Sequence, residues 1–363
     1  MKLQVTQENL SKALGSVSRV ASTRGTLPIL SNVLLKTVEG RLSIAATNLD
    51  IAITHFIGSK VSEEGAITVP ARLMQDFVSS LPGGVIEFEL NDNKLNISTD
   101  KYESTINGVS ADEYPVMPDI SDGQSWTISG KTLKAGLQQV VGAASNDEAR
   151  PVLTGAYLHT HKGQLYLVAT DSYRLAEKSL MKTKQEINLL IPATALQDLL
   201  RILGDDDSEV SVTHDDQQVL FKVGDVELVT RQIEGKYPDY RKLIPSNYSV
   251  TATLLRADLT NITKVSSLFA RESAGSITIN LNQKDQMVSI RSVASQLGEN
   301  TASANAEITG DGVITLNSRY LLDALHALGG EKVIFAFNGK LEPCVIRDPK
   351  ADDYLHVIMP LKS

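Results

Sequence analysis

The sequence of 363 residues contains one cysteine, Cys344, so no disulfide can form within the chain. Such a chain suits a reducing compartment, and we expect a cytoplasmic protein. No apolar stretch approaches the roughly 20 residues that a helix needs to span a bilayer. The N-terminal stretch MKLQVTQENL also lacks the apolar core of a signal peptide. We therefore expect neither a secreted, disulfide-rich domain nor a helical membrane protein.

The sequence also lacks the common motifs of catalysis and cofactor binding. It contains no GxxxxGK[ST] phosphate loop, no GxGxxG after a strand, and no HExxH, GxSxG or CxxC. His159 and His161 have the spacing at which a strand could bind a metal ion, but no third ligand lies nearby. Cys344 has no histidine partner in the sequence, so we expect a buried apolar thiol. We predict no catalytic residue, no metal ion and no cofactor.

Acidic runs at 205–207 and 215–216 are the remaining candidates for a cation site. Both fall where turns are predicted, which favours solvated loops over a magnesium site. The alternative for an enzyme is a hydrolase or transferase with an unrecognised site. A deep pocket with titratable groups at hydrogen-bonding distance would be the evidence for it.

Three segments of the chain resemble one another at a spacing of roughly 120–125 residues. They begin LQVTQENLSKALGSVSRVAS at Leu3, WTISGKTLKAGLQQVVGAAS at Trp126 and VTATLLRADLTNITKVSSLF at Val250. Each segment starts with a short alternating strand and continues into an amphipathic helix. In the first copy, the i, i+4, i+7 spacing that indicates this helix is that of Leu10, Leu14 and Val17.

A second pattern also occurs three times, at matching places. Its copies are AITVPARLMQDFVSSLPGG, NLLIPATALQDLLRILGDD and VITLNSRYLLDALHALGGE. Each predicts a strand, a helix start, about ten helical residues and a glycine stop. The helix-start signals are Pro70, Pro192 and Asn317. The residues predicted to end these helices are Gly83, Gly204 and Gly329.

These patterns predict an α+β fold in three similar domains, each with two helices and about eight strands. Polar, turn-rich stretches near residues 123 and 247 predict the boundaries, giving domains 1–123, 124–246 and 247–363. The periodicity leaves the arrangement open among a solenoid, three independent modules and an arc.

The net charge of −8 argues against a nucleic-acid-binding protein unless positive charge is segregated onto one surface. The predicted helices are 7–20, 71–80, 131–143, 193–203, 257–271 and 318–328. They carry nine basic and five acidic residues, so the rest of the chain holds the acidic excess. Solvated helix faces would also explain this small bias. Because no zinc-finger, RNP or basic-zipper motif is present, any contact with DNA should be to the phosphate backbone.

Together with the repeats, five strings give the chain a family resemblance. They are TLPILSNVLL (26–35), VPAR (69–72), ATDSYRLA (169–176), EGKYPDYRKLIP (234–245) and YLHVIMPLKS (354–363). Over essentially its whole length the sequence resembles the bacterial beta sliding clamps. The resemblance implies a head-to-tail homodimer that closes into a six-domain ring, with helices lining the inner face and antiparallel sheets outside.

The resemblance also implies a function without catalysis. The ring would encircle duplex DNA irrespective of sequence and tether the replicative DNA polymerase. Its partners would be the polymerase catalytic subunit, the clamp loader and other proteins that carry clamp-binding motifs. The alternative from the residues alone is a three-module scaffold that binds proteins but never DNA.

The resemblance assigns three groups of residues to this function. The partner-peptide pocket comprises Arg150, Leu153, Thr170, Ser172, Tyr173, Arg174, Leu175, Pro238, Lys242, Leu243, Asn317, Tyr320, Leu341, Pro343, Val357, Met359, Pro360 and Leu361. The residues expected to face DNA are Arg24, Arg72, Lys12, Arg19, Lys131, Lys134, Arg201, Lys264, Arg271 and Arg319. The residues expected at the dimer interface are Ile106, Leu268 and Phe269.

The sequence departs from the family at two positions. Tyr173 stands where many relatives carry histidine, which changes the expected shape of the pocket rim. In the second domain, Ala193 and Thr194 stand where some clamps place basic residues that contact DNA. The sequence therefore leaves open whether this chain makes the DNA contact of the family at that site.

Overall fold

The computed structural model describes residues 1–21, 27–120, 122–296 and 298–361. The chain forms two compact units, one of residues 1–132 with 194–232 and one of residues 133–193 with 233–363. No helix in these described ranges is long and apolar enough to cross a membrane.

Six α-helices and twenty-six strands follow one another along the described chain. The helices are α1 (Gln7–Val17), α2 (Ala71–Ser80), α3 (Gly130–Val140), α4 (Ala193–Ile202), α5 (Arg256–Phe269) and α6 (Ser318–Ala327). The first strands are β1 (Lys2–Thr6), β2 (Asn32–Val38), β3 (Arg41–Thr47), β4 (Ile51–Gly58), β5 (Lys60–Glu63), β6 (Ala66–Pro70), β7 (Val85–Asn91), β8 (Lys94–Ser98) and β9 (Glu103–Asn107). The next are β10 (Gln124–Ser129), β11 (Gly155–His161), β12 (Gln164–Thr170), β13 (Arg174–Lys182), β14 (Asn188–Pro192), β15 (Glu209–His214), β16 (Gln218–Val223) and β17 (Val226–Arg231). The last are β18 (Val250–Leu255), β19 (Ser276–Asn282), β20 (Met287–Ala294), β21 (Gly298–Asn305), β22 (Glu307–Thr309), β23 (Gly312–Asn317), β24 (Lys332–Phe337), β25 (Cys344–Asp348) and β26 (Ala351–Ile358).

The order of elements confirms the three predicted repeats. Each repeat begins with one strand and a helix, continues through four or five strands to a second helix, and ends with three strands. Within a repeat, the fourth strand is β4, β13 or β21 and the last strand is β9, β17 or β26.

The first unit contains two sheets. One has five strands in the order β5-β1-β7-β8-β9. The other has eight strands in the order β10-β15-β16-β17-β4-β3-β2-β6, so strands of the first two repeats share it. They meet where the fourth strand of the first repeat, β4, pairs antiparallel with the last strand of the second, β17, with Ile51 opposite Thr230.

The second unit repeats this construction. A nine-stranded sheet has the order β14-β11-β12-β13-β26-β25-β24-β18-β22, and a four-stranded sheet has the order β21-β20-β19-β23. Here the fourth strand of the second repeat, β13, pairs antiparallel with the last strand of the third, β26, with Arg174 opposite Ile358. The same pair of strand types therefore joins repeats in both units.

Local sequence explains where the helices begin. The Thr6 hydroxyl accepts a hydrogen bond from the amide of Asn9, which caps α1, and Leu10, Leu14 and Val17 bury one face of it. Asn317 caps α6 as predicted, because its side chain accepts from the amide of Arg319. Pro70 directly precedes α2 and ends β6.

The predictions of glycine caps at helix ends were wrong. Gly83, Gly204 and Gly329 do not adopt the left-handed conformation of a glycine cap. Instead α2 and α6 end when Leu81 and Leu328 adopt extended conformations and become buried. The predicted helices 7–20 and 257–271 were also too long, because α1 ends at Val17 and α5 at Phe269. Arg19 and Arg271 therefore lie beyond their helices.

Two histidines are enclosed in the second unit. His356 is 2% exposed and its Nδ1 lies 2.9 Å from the Tyr354 hydroxyl. His159 is 8% exposed and its Nε2 lies 2.8 Å from the Tyr240 hydroxyl. Burial lowers the pKa of His356 to about 3 and that of His159 to about 4, with smaller contributions from Arg174 and Arg241 respectively. Both imidazoles are therefore neutral in the folded protein near pH 7.

We expect the protein to lose stability as the pH falls below the unfolded histidine pKa of about 6.5. The unfolded chain then binds protons that buried His356 cannot, so the free energy of unfolding should fall by about 1.4 kcal/mol per pH unit for this residue. Urea unfolding followed by circular dichroism, at several pH values above the folded pKa, measures the slope. His356→Gln should have a shallower slope by that amount, and the exposed control His326→Gln should not. Equal slopes for the His356 variant and the parent would contradict the prediction.

Candidate peptide-binding site and helix cations

A tight turn between β12 and β13 forms the centre of the predicted pocket. The Asp171 carboxylate accepts hydrogen bonds from the amides of Tyr173 and Arg174, each at 2.9 Å. The Thr170 hydroxyl donates to the Arg174 carbonyl at 2.6 Å and accepts from the Ser172 amide at 3.1 Å. Ser172 has a φ of 77°, which a non-glycine residue rarely adopts. These bonds hold Ser172 and Tyr173 in the solvent, where Tyr173 is 57% exposed.

Arg174 joins this turn to α6. Its guanidinium bonds Asp171 at 3.2 Å, donates to the Gly142 carbonyl at 2.7 Å and pairs with Asp323 of α6. The same group lies 4.6 Å from the centre of the Tyr320 ring, a cation–π distance. These partners hold the guanidinium in place, and the guanidinium in turn positions the Tyr320 ring.

The base of the site is an apolar cluster. Leu153, Leu175 and Val357 are each at most 5% exposed and belong to one packed group. The other buried members of that group are Val168, Leu190, Tyr237, Tyr240 and Val345. The next residue along from Tyr237 is Pro238, which is exposed. The cluster therefore provides a rigid floor, while Pro238 lies at its edge.

The C-terminal segment runs along the turn. The amide of Met359 donates to the Tyr173 carbonyl, and the amide of Leu361 donates to the Thr315 carbonyl, each at 2.8 Å. Met359, Pro360 and Leu361 are all half-buried. Thr315 lies two residues before Asn317, so Asn317 and this segment are close to each other. Two backbone bonds thus bring residues distant in sequence into one site.

Other predicted pocket residues are more exposed than this floor. Leu341 is 61% exposed and Leu243 is 48% exposed. Pro343 is half-buried and precedes Cys344, whose strand pairs with Ile358. Arg150 donates to the Ser172 hydroxyl at 3.0 Å, and Lys242 lies 2.8 Å from the carboxylate of exposed Asp239. The predicted pocket residues thus divide into a buried apolar group and a more exposed group.

Several contributing residues were not predicted from the sequence. Asp171 fixes the turn and Asp323 holds Arg174, although neither was assigned a role. A second network lies beneath the floor, where the Tyr240 hydroxyl bonds Glu177 and Arg241 lies 3.2 Å from the same carboxylate. The one available signal was the Asp-Ser-Tyr sequence of 171–173, because aspartate commonly bonds the backbone two or three residues ahead.

Among the described residues, no group of three or more histidine, cysteine, aspartate or glutamate side chains could hold a metal ion. His159 is engaged by Tyr240, and Cys344 is buried as expected. Burial raises the pKa of the Cys344 thiol, which keeps it protonated and unreactive.

The helices carry a small excess of positive charge. Within their observed bounds there are eight basic and five acidic residues, an excess of three rather than the four predicted. Arg256 begins α5 and was not predicted; it donates to the carbonyls of Gly330 and Leu325. Of the residues predicted to face DNA, the exposed ones are Lys12, Arg19, Arg72, Lys131, Arg201, Lys264, Arg271 and Arg319. Lys134 is half-buried, and Arg24 lies outside the described residues.

Three of these cations line one cavity in the first unit. Lys12, Arg19 and Arg201 surround a volume of about 300 Å³ together with His55 and Asp198. Arg201 bonds Asp198 at 2.6 Å, and burial of that carboxyl raises its pKa. The remaining charge around the cavity is positive, which suits an anionic ligand.

The predicted interface residues lie in two different environments. Leu268 is 50% exposed near the end of α5, and neighbouring Phe269 is half-buried. Ile106 is 5% exposed and lies in β9, so its side chain is already buried within its own chain. What β9 offers is its backbone edge, because it is a terminal strand of its sheet, as β21 is of another.

Known proteins resemble this chain over its full length. Three sequence-family models of the DNA polymerase III beta subunit match the chain. The N-terminal domain model matches residues 1–118, the central domain model matches residues 127–239, and the C-terminal domain model matches residues 241–362. The beta sliding clamp of Staphylococcus aureus strain Mu50 is 30% identical, with 100% of both chains covered.

Solved structures agree with these matches. The DNA polymerase sliding clamp of Bacillus subtilis has a TM-score of 0.95 at 28% identity, covering 100% of this chain and 99% of that one. The Pseudomonas aeruginosa sliding clamp bound to griselimycin has a TM-score of 0.95 at 26% identity, with 100% of both chains covered. The chain belongs to the DNA polymerase III beta subunit family.

Proposed function

We propose that this protein is a non-enzymatic DNA sliding clamp. Two copies would form a closed ring around duplex DNA and tether the replicative DNA polymerase for processive synthesis. The observation that carries this proposal is the repeated pairing of a fourth strand with a last strand, which leaves one strand of each type unpaired at the sheet edges.

The same type of pairing would also join two copies of the chain. In the chain, β4 pairs with β17 and β13 pairs with β26. The remaining fourth strand is β21 and the remaining last strand is β9, and each is terminal in its own sheet. If β21 of one copy pairs with β9 of another, the same rule joins six domains and leaves no fourth or last strand unpaired. Such an interface is heterologous, and the rotation must close to give a ring.

The electrostatic pattern supports contact with the phosphate backbone. The chain carries −8 overall, yet its helices carry an excess of three positive charges. The exposed cations project from several helices without a base-reading motif, which suits sequence-independent contact. Helices that cross phosphate ridges without entering a groove would let the ring slide.

The pocket in the second unit supports peptide binding. The predicted pocket residues include the buried cluster members Leu153, Leu175 and Val357 and the exposed leucines Leu243 and Leu341. This arrangement suits an extended peptide with Leu or Phe anchors and a Gln. The flexible Met359 side chain can repack around different peptides. We infer that the polymerase catalytic subunit, the clamp loader and other motif-bearing proteins exchange at this site in the cytoplasm.

We further propose that the functional domains are residues 1–123, 124–246 and 247–363. The three repeats of elements support this division, since each proposed domain contains two helices and eight or nine strands. Each boundary falls between the last strand of one repeat and the first strand of the next.

The first prediction of this proposal concerns the dimer. Leu268→Asp with Phe269→Asp should convert the dimer into monomers, because an interface would then bury unpaired charge. Light scattering coupled to gel filtration should give twice the chain mass of 39.3 kDa for the parent and that mass for the variant. Leu341→Asp, which also charges an exposed leucine, should remain dimeric. A dimeric double variant would mean that the interface lies elsewhere.

The second prediction concerns DNA. Binding of the unloaded protein to a short duplex should be weak, independent of sequence and steeply weakened by salt. Reversing Arg72 and Lys131 to glutamate should reduce the slope of log affinity against log salt by about 2 if each contacts one phosphate. Fluorescence anisotropy provides the measurement, and Lys60→Glu with Lys184→Glu, outside the helices, is the matched control. Equal slopes for the two double variants, or a clear sequence preference, would contradict the proposal.

The third prediction concerns the pocket. Deleting residues 359–363 should weaken binding of a labelled peptide with Leu and Phe anchors at least tenfold, about 1.4 kcal/mol. The deletion removes the Met359 and Leu361 side chains and the two backbone bonds that place the C-terminal segment. Fluorescence polarisation measures the affinity, which should be micromolar in the parent because a flexible peptide must be ordered. Deleting residues 362–363 alone should have little effect, and unchanged binding after the longer deletion would place the pocket elsewhere.

A further inference from the structure

A second cavity lies in the first unit, at the place equivalent to the proposed peptide pocket. It has a volume of about 210 Å³. Its walls are formed by the β3–β4 turn, the segment that follows the first repeat, and strands β16 and β17. The residues that line it include Thr47, Leu49, Pro115, Val116, Gln218 and Val229.

The β3–β4 turn reproduces the turn of the first pocket bond for bond. The Thr47 hydroxyl donates to the Ile51 carbonyl at 3.0 Å and accepts from the Leu49 amide at 3.0 Å. The Asn48 side chain accepts from the amides of Asp50 and Ile51 at 3.1 and 2.8 Å. Thr170, Asp171 and Arg174 make these bonds in the second repeat. The central residue is in the left-handed region in both, at φ 78° for Leu49 and 77° for Ser172.

The adjoining strand and connector are also equivalent. The amide of Arg231 donates to the Asp50 carbonyl at 3.0 Å, as that of Met359 does to the Tyr173 carbonyl. Tyr114-Pro115 precedes the second repeat as Tyr237-Pro238 precedes the third. Buried Tyr114 accepts from the Thr47 amide at 3.1 Å, so the connector is fixed to the turn. The same three parts therefore build both cavities.

Three features indicate that the second cavity can hold a ligand. Leu49 adopts a backbone conformation that costs about 1 kcal/mol or more for such a residue, yet its side chain is 45% exposed. Val116 is 95% exposed beside it. The Gln218 Oε1 atom is buried and accepts no hydrogen bond from any described residue. An amide donor next to an aliphatic side chain would match these features.

The size of the cavity restricts the occupant. A cavity of roughly 150 Å³ accommodates a benzene-sized group, so about 210 Å³ suffices for one branched aliphatic side chain. Three polar residues, Thr47, Asp50 and Arg231, line the wall and limit its apolar surface. Binding should therefore be weaker than at the first pocket.

We propose that this cavity is a second, weaker docking site for an extended peptide segment of a partner protein. The segment inserts one Leu-sized aliphatic side chain between Leu49, Val116 and Val229, and one of its backbone amides donates to Gln218. This proposal rests on the proposed peptide binding at the first pocket, because the equivalence of the two turns supplies the class of ligand.

Two site-specific probes test the proposal separately from the first pocket. The only native cysteine, Cys344, is buried and resists labelling. A fluorophore on Asp119→Cys reports on the second cavity, and one on Glu342→Cys reports on the first, since both residues are exposed. Each labelled dimer is titrated with an acetylated nonapeptide that contains a Gln, a Leu and a Phe. A peptide with alanine at the Leu and Phe positions is the control.

We expect both probes to saturate, the Asp119→Cys probe at a peptide concentration at least tenfold higher. Val116→Asp or Leu49→Gly should weaken only the Asp119→Cys response, by fivefold or more. Glycine suits the positive φ at position 49, so that variant keeps its fold. A response of the first probe alone, or a second response that survives both variants, overturns the second site and leaves the first pocket intact. No response from either probe overturns peptide binding at both.

Discussion

Antiparallel pairing between a fourth strand and a last strand is the constraint on which the rest of this structure depends. It joins β4 to β17 and β13 to β26 in two registers of five residue pairs each. Backbone hydrogen bonds make such junctions insensitive to side-chain identity, which explains how repeats with different sequences share one sheet. The edges left at β9 and β21 would expose unpaired amides and carbonyls, a liability that pairing between two copies removes.

Both candidate binding sites lie at the ends of these junctions. At each site, a turn leads into the fourth strand, and the last strand extends alongside that turn. A backbone amide at the end of the last strand therefore donates a hydrogen bond to a carbonyl of the turn. Hydrogen bonds to Thr and Asn or Asp side chains maintain the strained backbone conformation at Leu49 and at Ser172. The two sites differ in the side chain at the end of the turn. In the second repeat this residue is Arg174, which lies against Tyr320, whereas the first repeat has Ile51 at the equivalent position. The affinity for a peptide should therefore depend on this side chain and not on the strand pairing.

Much of the fold could be predicted from the sequence because its signals are local. Apolar spacing and caps such as Asn317 fixed the number of helices and their starts. The helix ends could not be predicted in the same way, since Leu81 and Leu328 end their helices by entering the core, which is a tertiary effect. Pairing of β13 with β26 spans more than a hundred residues and leaves no periodic signal. The family resemblance supplied the pocket residues, but the partners of Arg174 became evident only from the fold.

The central claim is that the closed ring is linked to DNA by topology and not by affinity. The direct measurement is retention of loaded protein on a nicked circular duplex at high salt, before and after a single restriction cut. A sliding clamp should stay on the circle and leave within the time needed to slide off the linear ends. Equal retention on circular and linear DNA, or release from the circle at high salt, would contradict the account.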